Sequence, residues 1–158
     1  AEGIYVGYRH FDKAGIKPLF PFGYGLSYTT FDYRHLQLSS SQMKPDGTVT
    51  ASVNITNTGK RAGAEVVELY IHDLHPKIDK PVRELKGFAK VSLQPGETKT
   101  VHFQISPRDL AYFDVPGKQW KADAGNYEVQ IGASSRDIRQ QGVLALNGDF
   151  TDKVSPPN

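Results

Sequence analysis

Hydrolysis of a glycosidic bond needs little more than two carboxylates, about 5–5.5 Å apart for retention and roughly 6.5–9.5 Å apart for inversion. By residue type Asp12, Asp73, Asp79, Glu84, Asp109 and Asp114 are the candidates. Most of them stand in turns or at the ends of strand-like runs, where a carboxylate caps backbone N–H groups. They read as solvated or turn-capping acids. The five histidines, His10, His35, His72, His75 and His102, raise metal or triad chemistry. His72 and His75 flank Asp73 and Leu74, but a strand end splays such side chains and no third ligand accompanies them. They read as exposed loop histidines. A serine nucleophile elbow is missing, because Thr29 stands where the second glycine of Gly25-Leu26-Ser27 would be needed. No phosphate-cradling glycine loop opens a helix. The residue types therefore lead to no catalytic set, no metal site and no cofactor.

Two other features offer binding or modification rather than catalysis. Trp120 is the single tryptophan. Its ordinary place is the core; on the surface, with Tyr112, it would stack on sugar rings or a polymer such as cellulose or lignin. Asn54-Ile55-Thr56 is an N-glycosylation sequon on the polar side of a strand-like run, a surface Asn unless the chain passes through a eukaryotic secretory pathway.

The elements that would position these side chains are strands. "TVTASVNIT" puts Val49, Ala51, Val53 and Ile55 on one side and Thr50, Ser52, Asn54 and Thr56 on the other, the period of a half-buried antiparallel strand. Further strands are predicted at 30–38, 65–72, 83–92, 98–106, 111–113 with 119–121, 127–133 and 142–146. Between them lie the turn signals "KPDG", "NTGK", "QPGE", "VPGK" and "DAGN". One stretch, "RELKGFAKVSLQPGE", combines strand alternation, a lone Gly87 expected at a bulge, expected core contacts at Leu85, Val91 and Leu93, and a Pro95-Gly96 turn. Seven or eight short strands at this spacing predict an all-β, two-sheet antiparallel sandwich. "SPRDLAYF" is expected to form a single helical turn, and 151–158 a loose tail.

Residues 1–28 differ from the rest. Tyr5, Tyr8, Phe11, Phe20, Phe22, Tyr24 and Tyr28 crowd into them, and Pro18 and Pro21 favour an extended connector. So aromatic a segment must pack on something, which reads as an interdomain contact in a larger polypeptide.

Composition narrows the class. The 158 residues carry 19 Lys plus Arg against 17 Asp plus Glu, a net +2 with no basic block, which argues against a nucleic-acid partner. No apolar run approaches the length of a membrane span. The absence of cysteine removes disulfides, thiolate metal sites and thiol nucleophiles.

Three stretches in order, "EGIYVGYRHFDKAGIKPLFPFGYGLSYTTFDY", "PVRELKGFAKVSLQPGETKTVHFQI" and "DLAYFD…W…AGNYEVQIGASSRDIR", resemble the C-terminal end of a family 3 glycoside hydrolase of the β-glucosidase type. The resemblance implies that 1–28 is the end of an α/β sandwich domain plus a connector and that 29–150 is a fibronectin type III-like domain. It also implies catalytic domains as partners and a secreted or periplasmic location. In that family the nucleophile is an Asp in a Ser-Asp-Trp motif and the acid/base typically a Glu. Here Trp120 follows Gln119, and Glu2 belongs to a strand pattern. Neither catalytic group is matched, so the chain alone is expected to be inactive.

Overall fold

A computed structural model describes residues 29–153. The aromatic positions Tyr5, Tyr8, Phe11, Phe20, Phe22, Tyr24 and Tyr28, with His10 and Asp12, lie outside the described residues.

Eleven strands and one helical turn follow one another: β1 (Phe31–Leu38), β2 (Gln42–Met43), β3 (Val49–Asn57), β4 (Gly63–Asp73), β5 (Glu84–Leu93), β6 (Thr98–Ile105), α1 (Pro107–Leu110), β7 (Tyr112–Asp114), β8 (Gln119–Ala122), β9 (Gly125–Ser134), β10 (Asp137–Leu146) and β11 (Phe150–Lys153). β1-β3-β6 form one sheet and β2-β10-β9-β4-β5 the other. The core between them takes the inward set Val49, Ala51, Val53 and Ile55 of β3, Val101, Phe103 and Ile105 of β6, Val67, Leu69 and Ile71 of β4, and Val129 and Ile131 of β9. The period-two pattern of β3 is reproduced residue by residue, because a flat strand buried on one side exposes every second side chain.

The departures from expectation have local causes. β10 begins at Asp137, five residues before the predicted strand, because polar Arg139, Gln140 and Gln141 on an edge stretch hide the alternation. β2 is only two residues long and pairs in parallel with Ala145–Leu146, so no sequence window could reveal it. The expected loose tail from 151 is corrected for three residues: Thr151–Lys153 belong to β11, opposite Lys121, Trp120 and Gln119 of β8. β11-β8-β7 form a third, small sheet.

The Pro95-Gly96 turn is as predicted. Glu97 N donates to Gln94 O at 2.9 Å and Gly96 takes φ +79°. The bulge falls beside Gly87: Leu69 pairs with Gly87 and Tyr70 with Leu85, leaving Lys86 as the extra residue. Val91 and Leu93 are buried, whereas Leu85, beyond the bulge, is only half-buried, a correction to its expected core role.

Candidate interaction surface

The two aromatics weighed for polymer contact, Tyr112 and Trp120, stand on β7 and β8 of the third sheet. Tyr112 and Trp120 stand on opposite sides of β7-β8, since Phe113 pairs with Trp120 and Tyr112 with Lys121. Trp120 is neither fully buried nor free; it packs against the core while Phe113 meets it edge-on, centroids 5.2 Å apart. The Arg108 guanidinium lies 4.0 Å over the Trp120 ring and 3.7 Å from Asp152 of β11. α1 holds Arg108 in place. Ser106 N and Oγ both donate to Asp109 Oδ2, at 2.8 and 3.2 Å, and Pro107 starts the turn. Leu85, Lys86, Arg108, Asp109 and Trp120 line a shallow groove of about 390 Å³.

The 74–83 segment joins β4 to β5. Lys80 Nζ sits 3.0 Å from Asp73 Oδ2, both side chains nearly buried, and 5.0 Å over the Tyr112 ring. His75 N donates to Asp73 Oδ1 at 2.9 Å. Burial, with the nearby negative charge of Asp123, pushes the Tyr112 phenol above its ordinary value.

The outward side of the five-stranded sheet carries a polar network that sequence reasoning missed. Arg83 Nε donates to Gln130 Oε1 at 2.7 Å and Arg83 Nη1 to Ser135 O at 3.1 Å. Gln130 Nε2 donates to Glu128 Oε1 at 2.7 Å, and His72 Nδ1 lies 3.6 Å from the same oxygen. Tyr70 Oη donates to Glu68 Oε1 at 2.6 Å. Burial first, then that bonded carboxylate, raises the Tyr70 phenol. Glu68 and Gln130 are buried although they point away from the core. The only signal was negative: "EVVELYIHD" lacks the clean polar face of a strand with one side in water.

The remaining candidates are accounted for individually. Asp73 is held by Lys80, Glu84 lies 3.3 Å from Lys86, and Asp79 is exposed. Asp114 is half-buried at the end of β7. His35, His75 and His102 are exposed; His102 Nδ1 shares a 3.0 Å hydrogen bond with Ser52 Oγ. Among the described residues no three His, Asp or Glu side chains gather as metal ligands. Asn54 is half-buried on the outer side of β3, its Oδ1 accepting from Thr100 Oγ1 at 2.8 Å.

A family model described as a fibronectin type III-like domain matches residues 65–135, from β4 through the β9-β10 turn. A beta-glucosidase of Rhizobium radiobacter is 52% identical over 149 residues, covering 94% of this chain and 18% of that protein. Thermostable beta-glucosidase B of Acetivibrio thermocellus is 46% identical, covering 92% of the chain and 19% of its own length. The chain carries a fibronectin type III-like domain over residues 65–135 and, along most of its length, is similar to one stretch of these β-glucosidases. Among solved structures the module superposes on beta-glucosidase 3B from Thermotoga neapolitana, captured with glucose, with a TM-score of 0.73 at 46% identity. A Bifidobacterium adolescentis GH3 beta-glucosidase gives 0.72 at 34%. These matches cover 84% and 87% of the module but only 18% and 20% of those chains. The module thus spans about a fifth of the length of the relatives it matches.

Proposed function

We propose that this module is the non-catalytic C-terminal part of a longer β-glucosidase, where it braces the catalytic domains through residues 1–28 and one face of the sandwich. The longer enzyme would cleave β-glycosidic bonds with retention, using two carboxylates that lie outside this module. One observation carries the reading. The chain matches β-glucosidases along most of its own length yet accounts for less than a fifth of the first relative. The side chains agree with it. Among the described residues the only carboxylate lining the groove, Asp109, takes two hydrogen bonds from Ser106 and closes a helical turn. Export to the periplasm or the medium accompanies this reading, and N-terminal sequencing of the mature full-length protein tests it.

Deleting the module from the full-length enzyme is expected to lower its melting temperature; an unchanged melting temperature overturns bracing. The rival reading, adhesion to polysaccharide or lignin through Tyr112 and Trp120, has less support. Arg108 already lies over one face of Trp120, and Lys80 lies over Tyr112, so both rings are engaged by the protein's own cations. Retention of the purified module on insoluble cellulose at moderate salt would reinstate that rival.

A further inference from the structure

Asparagine followed by glycine is a place where a chain can attack itself. Glycine has no Cβ to shield its backbone nitrogen from the side-chain amide before it. The pair occurs once in this sequence, at Asn147-Gly148. It lies between β10 and β11, in neither strand, and Asn147 is exposed.

The fold separates this asparagine from the others it describes. Asn54 precedes β-branched Ile55 within β3, the middle strand of its sheet, where both neighbours hold the backbone. Asn57 is fully buried, and the nitrogen after it, Thr58 N, donates to Thr30 O at 2.9 Å. Asn126 precedes Tyr127 inside β9, paired with both β10 and β4. Asp46-Gly47 could cyclise in the same way, but Gly47 N donates to Lys44 O at 2.9 Å and is tied into its turn. Gly148 is different. Among the described residues its N–H donates to no acceptor. The residue before it is well anchored, with Asn147 N donating to Met43 O at 2.8 Å, while the Asn147 side chain is held by Nδ2 alone, donating to Gln42 Oε1 at 3.3 Å.

We propose that Asn147 is a site of spontaneous deamidation and that the isoaspartate formed there strains the start of β11. Gly148 N attacks Asn147 Cγ and gives up its proton to water. The Cγ–Nδ2 bond breaks, and the nitrogen takes up a proton and leaves as ammonia. A five-membered imide remains, and water opens it at one of its two carbonyls. Opening at Cγ gives aspartate; opening at the main-chain carbonyl of residue 147 gives isoaspartate, whose backbone is one atom longer. Only water is consumed, so no oxidant, cofactor or enzyme is required. Either product sets a new carboxylate near Asp149. The longer backbone also enters a turn with little slack. A Cβ on Gly148 would already stand 3.0 Å from Pro45 Cγ, Asp149 Oδ1 accepts from Ala124 N at 2.9 Å, and Phe150 is in register with Ala122 of β8. The proposal is independent of the bracing reading.

The test is to age the purified chain in warm, mildly alkaline buffer, digest samples at intervals and weigh the peptides. The Asn147 peptide is expected to gain about 1 Da and to become a substrate for an isoaspartyl methyltransferase. Its conversion should run about tenfold or more faster than that of the Asn54, Asn57 and Asn126 peptides, whose following residues all carry a Cβ. The aged chain is expected to melt about 2 °C or more below the fresh one, while an Asn147→Ser chain aged beside it keeps its melting temperature and accepts no methyl groups. Conversion of Asn147 in urea but not in the folded chain would mean that the fold shields the site, and overturns the proposal. So does conversion that reaches Asn54, Asn57 or Asn126 first, or isoaspartate that forms in the Asn147→Ser chain, at Asp46, as fast as in the unaltered one. An aged chain that carries isoaspartate at position 147 yet melts with the fresh chain overturns the strain on β11.

Discussion

Asn57 is fully buried at the end of β3, and every polar atom of its side chain is used. Its Oδ1 accepts from Thr29 Oγ1 at 2.7 Å and from Gly59 N at 2.9 Å. Its Nδ2 donates to Arg61 O at 2.8 Å and Leu93 O at 3.0 Å. Its backbone meets the Pro95-Gly96 turn, N donating to Glu97 O and O accepting from Gly96 N. Asn57→Ala would strand buried donors and acceptors on several segments at once, and is expected to cost about 3 kcal/mol, read as a fall in melting temperature of roughly 6–12 °C. A fall under 2 °C would contradict the assignment. Glu65 is a different kind of site. Tyr33 Oη donates to its Oε2 at 2.7 Å and Arg139 stacks on the Tyr33 ring. Burial nevertheless outweighs that bond and the Arg139 charge, so the Glu65 carboxyl titrates above the usual glutamate range. The folded state then holds this proton more tightly than the unfolded chain does. The stability from this group is full below about pH 4.3 and is lost as pH rises through the elevated folded value. Glu65→Gln keeps an acceptor for Tyr33 and abolishes the titration. The melting temperature of the parent minus that of the variant should therefore fall as pH is raised from 4 to 7; a flat difference would count against it. Asp137, lowered chiefly by its hydrogen bonds from Arg139, works the other way and loses its contribution only at more acidic pH.

At the scale of elements, two register irregularities stand out. In β1 the register shifts between Arg34 and Gln37, and His35 takes φ 61°. Gln140 of β10 fills the bend, donating to Tyr33 O at 3.0 Å and accepting from Leu36 N at 3.2 Å, which ties the two sheets along that edge. The β9-β10 hairpin is equally tight. Gly132 faces Ile138 across a register shift, and a Cβ built on it would fall on the Asp137 carbonyl oxygen, a backbone atom that cannot swing aside. Gly132→Ala is expected to destabilise the module by roughly 1–3 kcal/mol, with urea unfolding showing a lower midpoint at an unchanged slope. A midpoint equal to the parent's would mean that the hairpin relaxes freely. β3, β6 and the Pro95-Gly96 turn were legible in the sequence because alternation and turn chemistry are local. β2 and β11 were not, because each is short and pairs with a strand distant in sequence, and the early part of β10 was hidden by its polar Arg139, Gln140 and Gln141.

For the whole molecule, the carboxylates with hydrogen-bond or ion-pair partners serve the fold. Asp109 closes α1, Asp73 anchors Lys80, Asp137 pairs with Arg139, and Glu65 and Glu68 accept from tyrosines. Purified to homogeneity, the chain alone is expected to show no turnover of an aryl β-glucoside; turnover that survives purification would overturn the non-catalytic reading. The sequence by itself determined the all-β sandwich, the turns and the family resemblance, since period-two burial and the constraints on Pro and Gly are written in neighbouring residues. It also flagged Arg83-Glu84-Leu85-Lys86-Gly87-Phe88 without saying why. Only the tertiary structure decided that Arg83 closes a polar network across β4 and β9, that Trp120 lies under Arg108, and that Lys80 lies over Tyr112. Those contacts join residues well separated along the chain, and which side chains share water or a partner is settled by packing between elements rather than along the chain.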